Sequence, residues 1–97
     1  MARPTKLTPA DVSTWLAAHG GWSEEGNGLA REYKFKDFSV ALGFVVRVGL
    51  AAEKADHHPD IAFGWGKARV FWSTHDAGGI TQLDLDLAEA SDAIFGS

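Results

Sequence analysis

Apolar positions along this chain recur at helical spacing in some stretches and alternate in others, and the two periods divide it into elements. Thr8-Pro9-Ala10-Asp11 predicts a helix start, with Thr8 as N-cap, Pro9 at the first helical position and Asp11 closing a capping box. Val12, Trp15, Leu16 and His19 continue at helical spacing, and Gly20-Gly21 stops the helix. Trp22-Ser23-Glu24-Glu25 predicts a short strand turned by Gly26-Asn27-Gly28. From Leu29 to Lys36 the pattern alternates: Leu29, Tyr33 and Phe35 face one side, Glu32, Lys34 and Lys36 the other, and Arg31 interrupts the apolar side. That is a strand with one wet face.

Asp37 is placed to cap a second helix, in which Ser39 and Arg47 are the only polar residues from Phe38 to Ala52. One side of so apolar a helix can cover a sheet; the remainder needs another helix or another subunit. It should end near Asp56, because a residue preceding proline, here Pro59, is pushed towards extended geometry. Ile61 to Trp65, Gly66-Lys67 and Ala68 to Thr74 predict a second hairpin. Ala77-Gly78-Gly79 breaks the chain, and Thr81-Gln82-Leu83-Asp84 opens a last helix with Leu83, Leu87, Ala90 and Ile94 on one stripe. Trp15, Phe35, Phe38 and Phe44 are expected in the core. The order helix, strand, strand, helix, strand, strand, helix predicts an α+β domain, an antiparallel sheet with helices on one face.

Composition narrows the function more than the fold. Ninety-seven residues, 45% of them hydrophobic, make a single domain spanning 1–97, with a core too small for a large internal cavity. Any site must then lie at a surface cleft or between subunits. A net charge of −4 and a pI near 5.4 argue against nucleic-acid binding. The absence of cysteine removes disulfides, thiolate zinc and thiol catalysis. The start Met-Ala-Arg-Pro-Thr-Lys has no apolar leader run and no stretch is long enough to span a bilayer, so a cytoplasmic protein without membrane contact is expected.

The chemistry concentrates in two segments. Glu53-Lys54-Ala55-Asp56-His57-His58-Pro59 and Ser73-Thr74-His75-Asp76 hold three of the four histidines. Imidazole exchanges protons near neutrality, and here it is flanked by carboxylates and hydroxyls. Adjacent histidines are poorly disposed to ligate one ion together and His19 lies on a different helix, where it reads as structural; no metal is expected. The bland alternative is a set of satisfied capping histidines. Glu53 lies one turn before His57 and either holds its tautomer or is a solvated helix residue. Asp84 reads as a helix cap before a catalytic acid. Gly78-Gly79 is a turn, since no lysine or nucleotide pattern follows.

Glu53-x3-His57-His58-Pro59, an aromatic at Trp65, and Thr74-His75-x2-Gly78-Gly79-x-Thr81-x2-Asp84 together resemble the pterin-4a-carbinolamine dehydratase family. The match extends back through Trp22 and Phe35-Lys36-Asp37-Phe38 to Ala51-Ala52-Glu53-Lys54, about three quarters of the chain. The resemblance implies a four-stranded antiparallel sheet with three helices on one face, and homodimers joined through sheet edges or homotetramers paired through helices. It implies dehydration of 4a-hydroxytetrahydropterin to quinonoid dihydropterin without metal or organic cofactor. His57 and His75 would be the acid/base pair and His58 would orient the substrate, with Asp56, Ser73, Thr74 and Asp76 as hydrogen-bonding residues and Trp22 as a stacking or lid surface. Two positions depart from the pattern: Leu83 stands where many members have a basic residue, and Ile61-Ala62 where an aromatic is usual. Two rival functions remain, a non-catalytic assembly or dimerisation factor on the same scaffold, and a dehydratase for another pterin tied to molybdenum cofactor metabolism.

Overall fold

The computed structural model describes residues 4–97, so the first three residues of the start read above for a leader lie outside the described part. Its elements are α1 (Pro9–Ala18), β1 (Ser23–Glu25), β2 (Gly28–Lys34), α2 (Phe38–Ala55), β3 (Asp60–Gly64), β4 (Lys67–Trp72), a single 3-10 turn (His75–Ala77) and α3 (Gln82–Phe95). The strands form one antiparallel sheet in the order β1-β2-β4-β3, and the three helices cover one face of it. This is the α+β architecture that the periodicities predict. No helix among the described residues is long and apolar enough to cross a membrane.

Each hairpin closes through two residues, Gly26-Asn27 between β1 and β2 and Trp65-Gly66 between β3 and β4. Gly66 sits at φ 75°, a conformation that costs a side chain dearly, and its carbonyl accepts the Phe35 N–H at 2.8 Å. Strand alternation then sends Leu29, Tyr33, Ala68, Val70 and Trp72 under the helices, all essentially buried.

Arg31, the charge on the apolar side of β2, is explained by a residue 61 positions away. Its guanidinium donates to Asp92 of α3 at 2.8 Å and lies over the Tyr33 ring. Asp92 also accepts the Tyr33 hydroxyl at 2.6 Å and the Trp22 indole N–H at 3.0 Å. Burial, reinforced by the Asp92 carboxylate, pushes the Tyr33 phenol well above the ordinary tyrosine range, so it stays a donor.

Three expectations need correction. The core stripe of α3 is Asp84, Leu87, Ala88 and Ser91 with Leu85 beside it, while Leu83, Ala90 and Ile94 are half-buried. Two polar residues on the buried face shift the true stripe off the apolar repeat. Phe38 is 45% exposed, packed on Phe63 and off the Ala41, Phe44, Val48 and Ala52 stripe that α2 buries. Trp22, expected at the substrate, is a core residue only 7% exposed, edge-on to both Trp15 and Tyr33.

Candidate functional site

α2 ends at Asp56, which adopts the left-handed conformation (φ 52°, ψ 42°) while its N–H bonds the Ala52 and Glu53 carbonyls. Aspartate tolerates that conformation better than a branched side chain does. The reversal carries His57 back against the domain, its N–H on the Ala52 carbonyl at 3.1 Å. The imidazole then lies parallel to the buried Trp72 ring, 6.0 Å between centroids and 12° between planes.

Behind His57 is a buried carboxylate. Asp84, in the first turn of α3, has no exposed surface, and its Oδ1 accepts from His57 Nε2 at 2.7 Å. Its Oδ2 accepts the Thr74 hydroxyl at 2.7 Å and the Thr81 N–H at 2.9 Å. Because the Thr74 proton is committed to Asp84, the Thr81 hydroxyl is the donor in the 2.9 Å contact between the two threonines. A carboxylate away from water is tolerated only with donors of this number. With Nε2 donating to Asp84, Nδ1 is the ring nitrogen left for a further partner of His57.

His58 and His75 are the wet members of the cluster. His58 Nε2 donates to Glu53 Oε2 at 2.7 Å, both side chains more than half exposed. His75 opens the 3-10 turn and is exposed, and its side chain makes no hydrogen bond among the described residues. His57, His58 and His75 line one open cleft of about 260 Å³ with Asp56, Ser73, Thr74 and Asp76. Larger depressions lie between α1 and α3 and on the outer face of the sheet, but no two imidazoles converge in either.

The residues predicted from sequence therefore divide. The three histidines, Asp56, Ser73, Thr74 and Asp76 share the cleft. Glu53 holds His58 and not His57, because the helix that would have put Glu53 and His57 on one face stops at Ala55. Asp84 both caps α3 and orients His57, from behind the cleft wall. Trp22 does not line the cleft; its indole N–H is spent on Asp92. His19 is structural as expected, stacked on Trp15 with Nδ1 on the Trp15 carbonyl. Among the described residues no three His, Asp or Glu side chains stand close enough to hold a metal together.

The sequence model of the family described as pterin 4 alpha carbinolamine dehydratase matches residues 5–94. The chain belongs to that dehydratase family. A provisionally named pterin-4-alpha-carbinolamine dehydratase of Rhodopseudomonas palustris is 46% identical over 93 residues, covering 94% of this chain and 92% of its own. One from Thermosynechococcus vestitus, likewise provisionally named, is 45% identical over 84 residues, 87% of this chain and 88% of that protein. The crystal structure of a transcriptional coactivator/pterin dehydratase from Brucella melitensis superposes with a TM-score of 0.88 at 37% identity, covering 93% and 98% of the two chains. A pterin dehydratase-like RuBisCO assembly factor shares the fold, with a TM-score of 0.68 at 23% identity over 81% of this chain and 94% of its own.

Two contributors to this dehydratase-family site escaped the sequence reading. Trp72 was legible only as a strand residue, although its alternation with Ala68 and Val70 already placed it on the helix side. Thr81 was read as a cap; its hydroxyl link to Thr74 depends on the isolated bridge between Thr74 and Gly79, which folds the 73–81 segment back on itself. Of the two departures from the family pattern, Leu83 is half-buried and brings no charge to the cleft, while Ile61 packs on the core and Ala62 is exposed.

Proposed function

We propose that the cleft dehydrates 4a-hydroxytetrahydropterin to quinonoid dihydropterin by histidine acid/base catalysis, within tetrahydropterin recycling. The reading is carried by His57, whose ring is fixed by the buried Asp84 and which shares a cleft with two further imidazoles. Loss of water from a carbinolamine needs one proton delivered to the departing hydroxyl and one removed from a ring nitrogen. His57 and His75 carry those two transfers, and His58, steadied by Glu53, positions the ring. Asp56, Ser73, Thr74 and Asp76 suit the amide-like edge of a pterin. Purified protein should accelerate carbinolamine loss, followed by absorbance, and should do so undiminished after exhaustive chelation. No acceleration removes the reading; loss on chelation restored by added zinc removes the two-imidazole mechanism.

The solvent side of α2 supports a homodimer or homotetramer. Phe38, Leu42, Val46 and Leu50 are spaced by single turns and between 42% and 67% exposed, and contiguous apolar surface of this kind marks an interface. Sedimentation at micromolar concentration should show at least a dimer, and Leu50→Glu should shift it towards smaller species. A wild-type monomer rules the assembly out. The same face is the one observation favouring a protein-binding role, such as the coactivator function named for the Brucella relative. That role uses α2 and leaves the histidines idle, so the dehydration assay separates the two.

A further inference from the structure

His57 is held by two groups that constrain it differently. The Asp84 carboxylate of α3 grips one edge of the imidazole through Nε2. A single in-plane hydrogen bond leaves a ring free to swivel about the bond; a flat surface against its face does not. Trp72 of β4 supplies that surface. Its side chain is wholly buried, and its indole N–H donates to the Ser91 hydroxyl at 3.2 Å, which in turn donates to the Leu87 carbonyl at 2.7 Å. The indole cannot turn away from His57 without breaking this buried link to α3. The two rings are parallel to within 12°, with 6.0 Å between centroids, and the His57 side chain is only 12% exposed. Ala68 and Val70, the other buried residues of β4, are aliphatic; the aromatic one stands against the histidine.

A histidine that gives and takes protons passes through imidazolium. An indole face attracts a cation within about 6 Å of its centre and has no such attraction for the neutral ring. The charged and titratable groups around His57 are Asp84 on α3, Asp56 at the end of α2, the adjacent His58, and His75 and Asp76 of the 3-10 turn. All of them persist when only Trp72 is altered. We infer that Trp72 is a positioning residue for proton transfer, its buried face fixing the plane of the His57 ring and stabilising the imidazolium form. The consequence for turnover rests on the dehydratase reading of the cleft; the effect on His57 rests on the stack alone.

Fluorine draws charge from an indole face at nearly constant volume. Trp72 carrying one and then three ring fluorines, inserted at that codon only, therefore weakens the attraction without opening a cavity. The His57 ring is titrated by NMR, and kcat and KM for carbinolamine loss are measured on the same preparations. The 6.0 Å separation lies at the outer edge of the effective range. The proton dissociation constant of His57 should then rise about two- to fivefold across the series, its titration midpoint moving to lower pH. At neutral pH kcat should fall by up to about the same factor, with KM unchanged. A midpoint that stays in place or moves to higher pH overturns the inference whatever the activity. A midpoint that falls while kcat holds overturns the part of Trp72 in turnover. Wild-type protein that turns over no carbinolamine overturns the dehydratase reading, and the NMR series still decides the stack.

Discussion

His57→Ala and His75→Ala are each expected to lower kcat by ~10²-fold or more with modest change in KM, because proton transfer acts chiefly in the transition state. His58→Ala should instead raise KM more than either, since a positioning contact is present in the bound ground state as well. The double variant His57→Ala/His75→Ala should lose less than the product of the single losses, as groups acting as one unit do. The structure adds a distinction in stability. His58 and His75 are exposed, and their replacement should leave urea unfolding unchanged. His57 is the partly buried donor to the buried Asp84, and its loss leaves a buried acceptor short of a partner, at a cost of about 1–3 kcal/mol. His58→Ala that abolishes turnover with unchanged KM would show that the wrong histidine has been given the proton. If none of the three replacements matters, the cleft is not catalytic.

Asp84→Ala carries the largest stability effect expected here. It removes the acceptor for His57, Thr74 and Thr81 at a position without exposed surface. Breaking a buried charged partnership of this kind typically costs about 3–5 kcal/mol. Asp84→Asn separates structure from chemistry. The amide keeps the volume, and its carbonyl keeps one acceptor, so most of the stability should remain. An NH2 group facing either His57 or the Thr74 and Thr81 donors disrupts the tautomer or the pairing, and kcat should fall by ~10²-fold. Urea midpoints and kcat measured on the same preparations decide it. Equal kcat in Asp84→Asn and wild type would reduce Asp84 to a helix cap.

The order of elements, the capping residues Thr8, Asp37 and Thr81, and the loops that carry the histidines were legible in the sequence because each rests on local rules. What sequence obscured depended on distant partners. Arg31 looked like an interruption in β2 until Asp92, 61 residues on, accepted it. The family resemblance offered Trp22 as a stacking or lid surface; nothing near it in sequence claims its N–H, but Asp92 does, 70 residues away. Glu53 was matched to His57 by a helical rule that lapses once Asp56 turns left-handed. The stripe of α3 was rotated by two polar core residues, Asp84 and Ser91, which an apolar periodicity cannot see.

Three carboxylates of α3 tie it to four earlier parts of the chain: Asp84 to His57 and Thr74, Glu89 to the Trp15 indole at 2.8 Å, and Asp92 to Trp22, Arg31 and Tyr33. Every one of these partners precedes α3 in the chain. The sheet and the first two helices are therefore synthesised before any of these acceptors. Closing loops of such length is slow relative to local contacts. His57 thus stays without its Asp84 acceptor until α3 has been made.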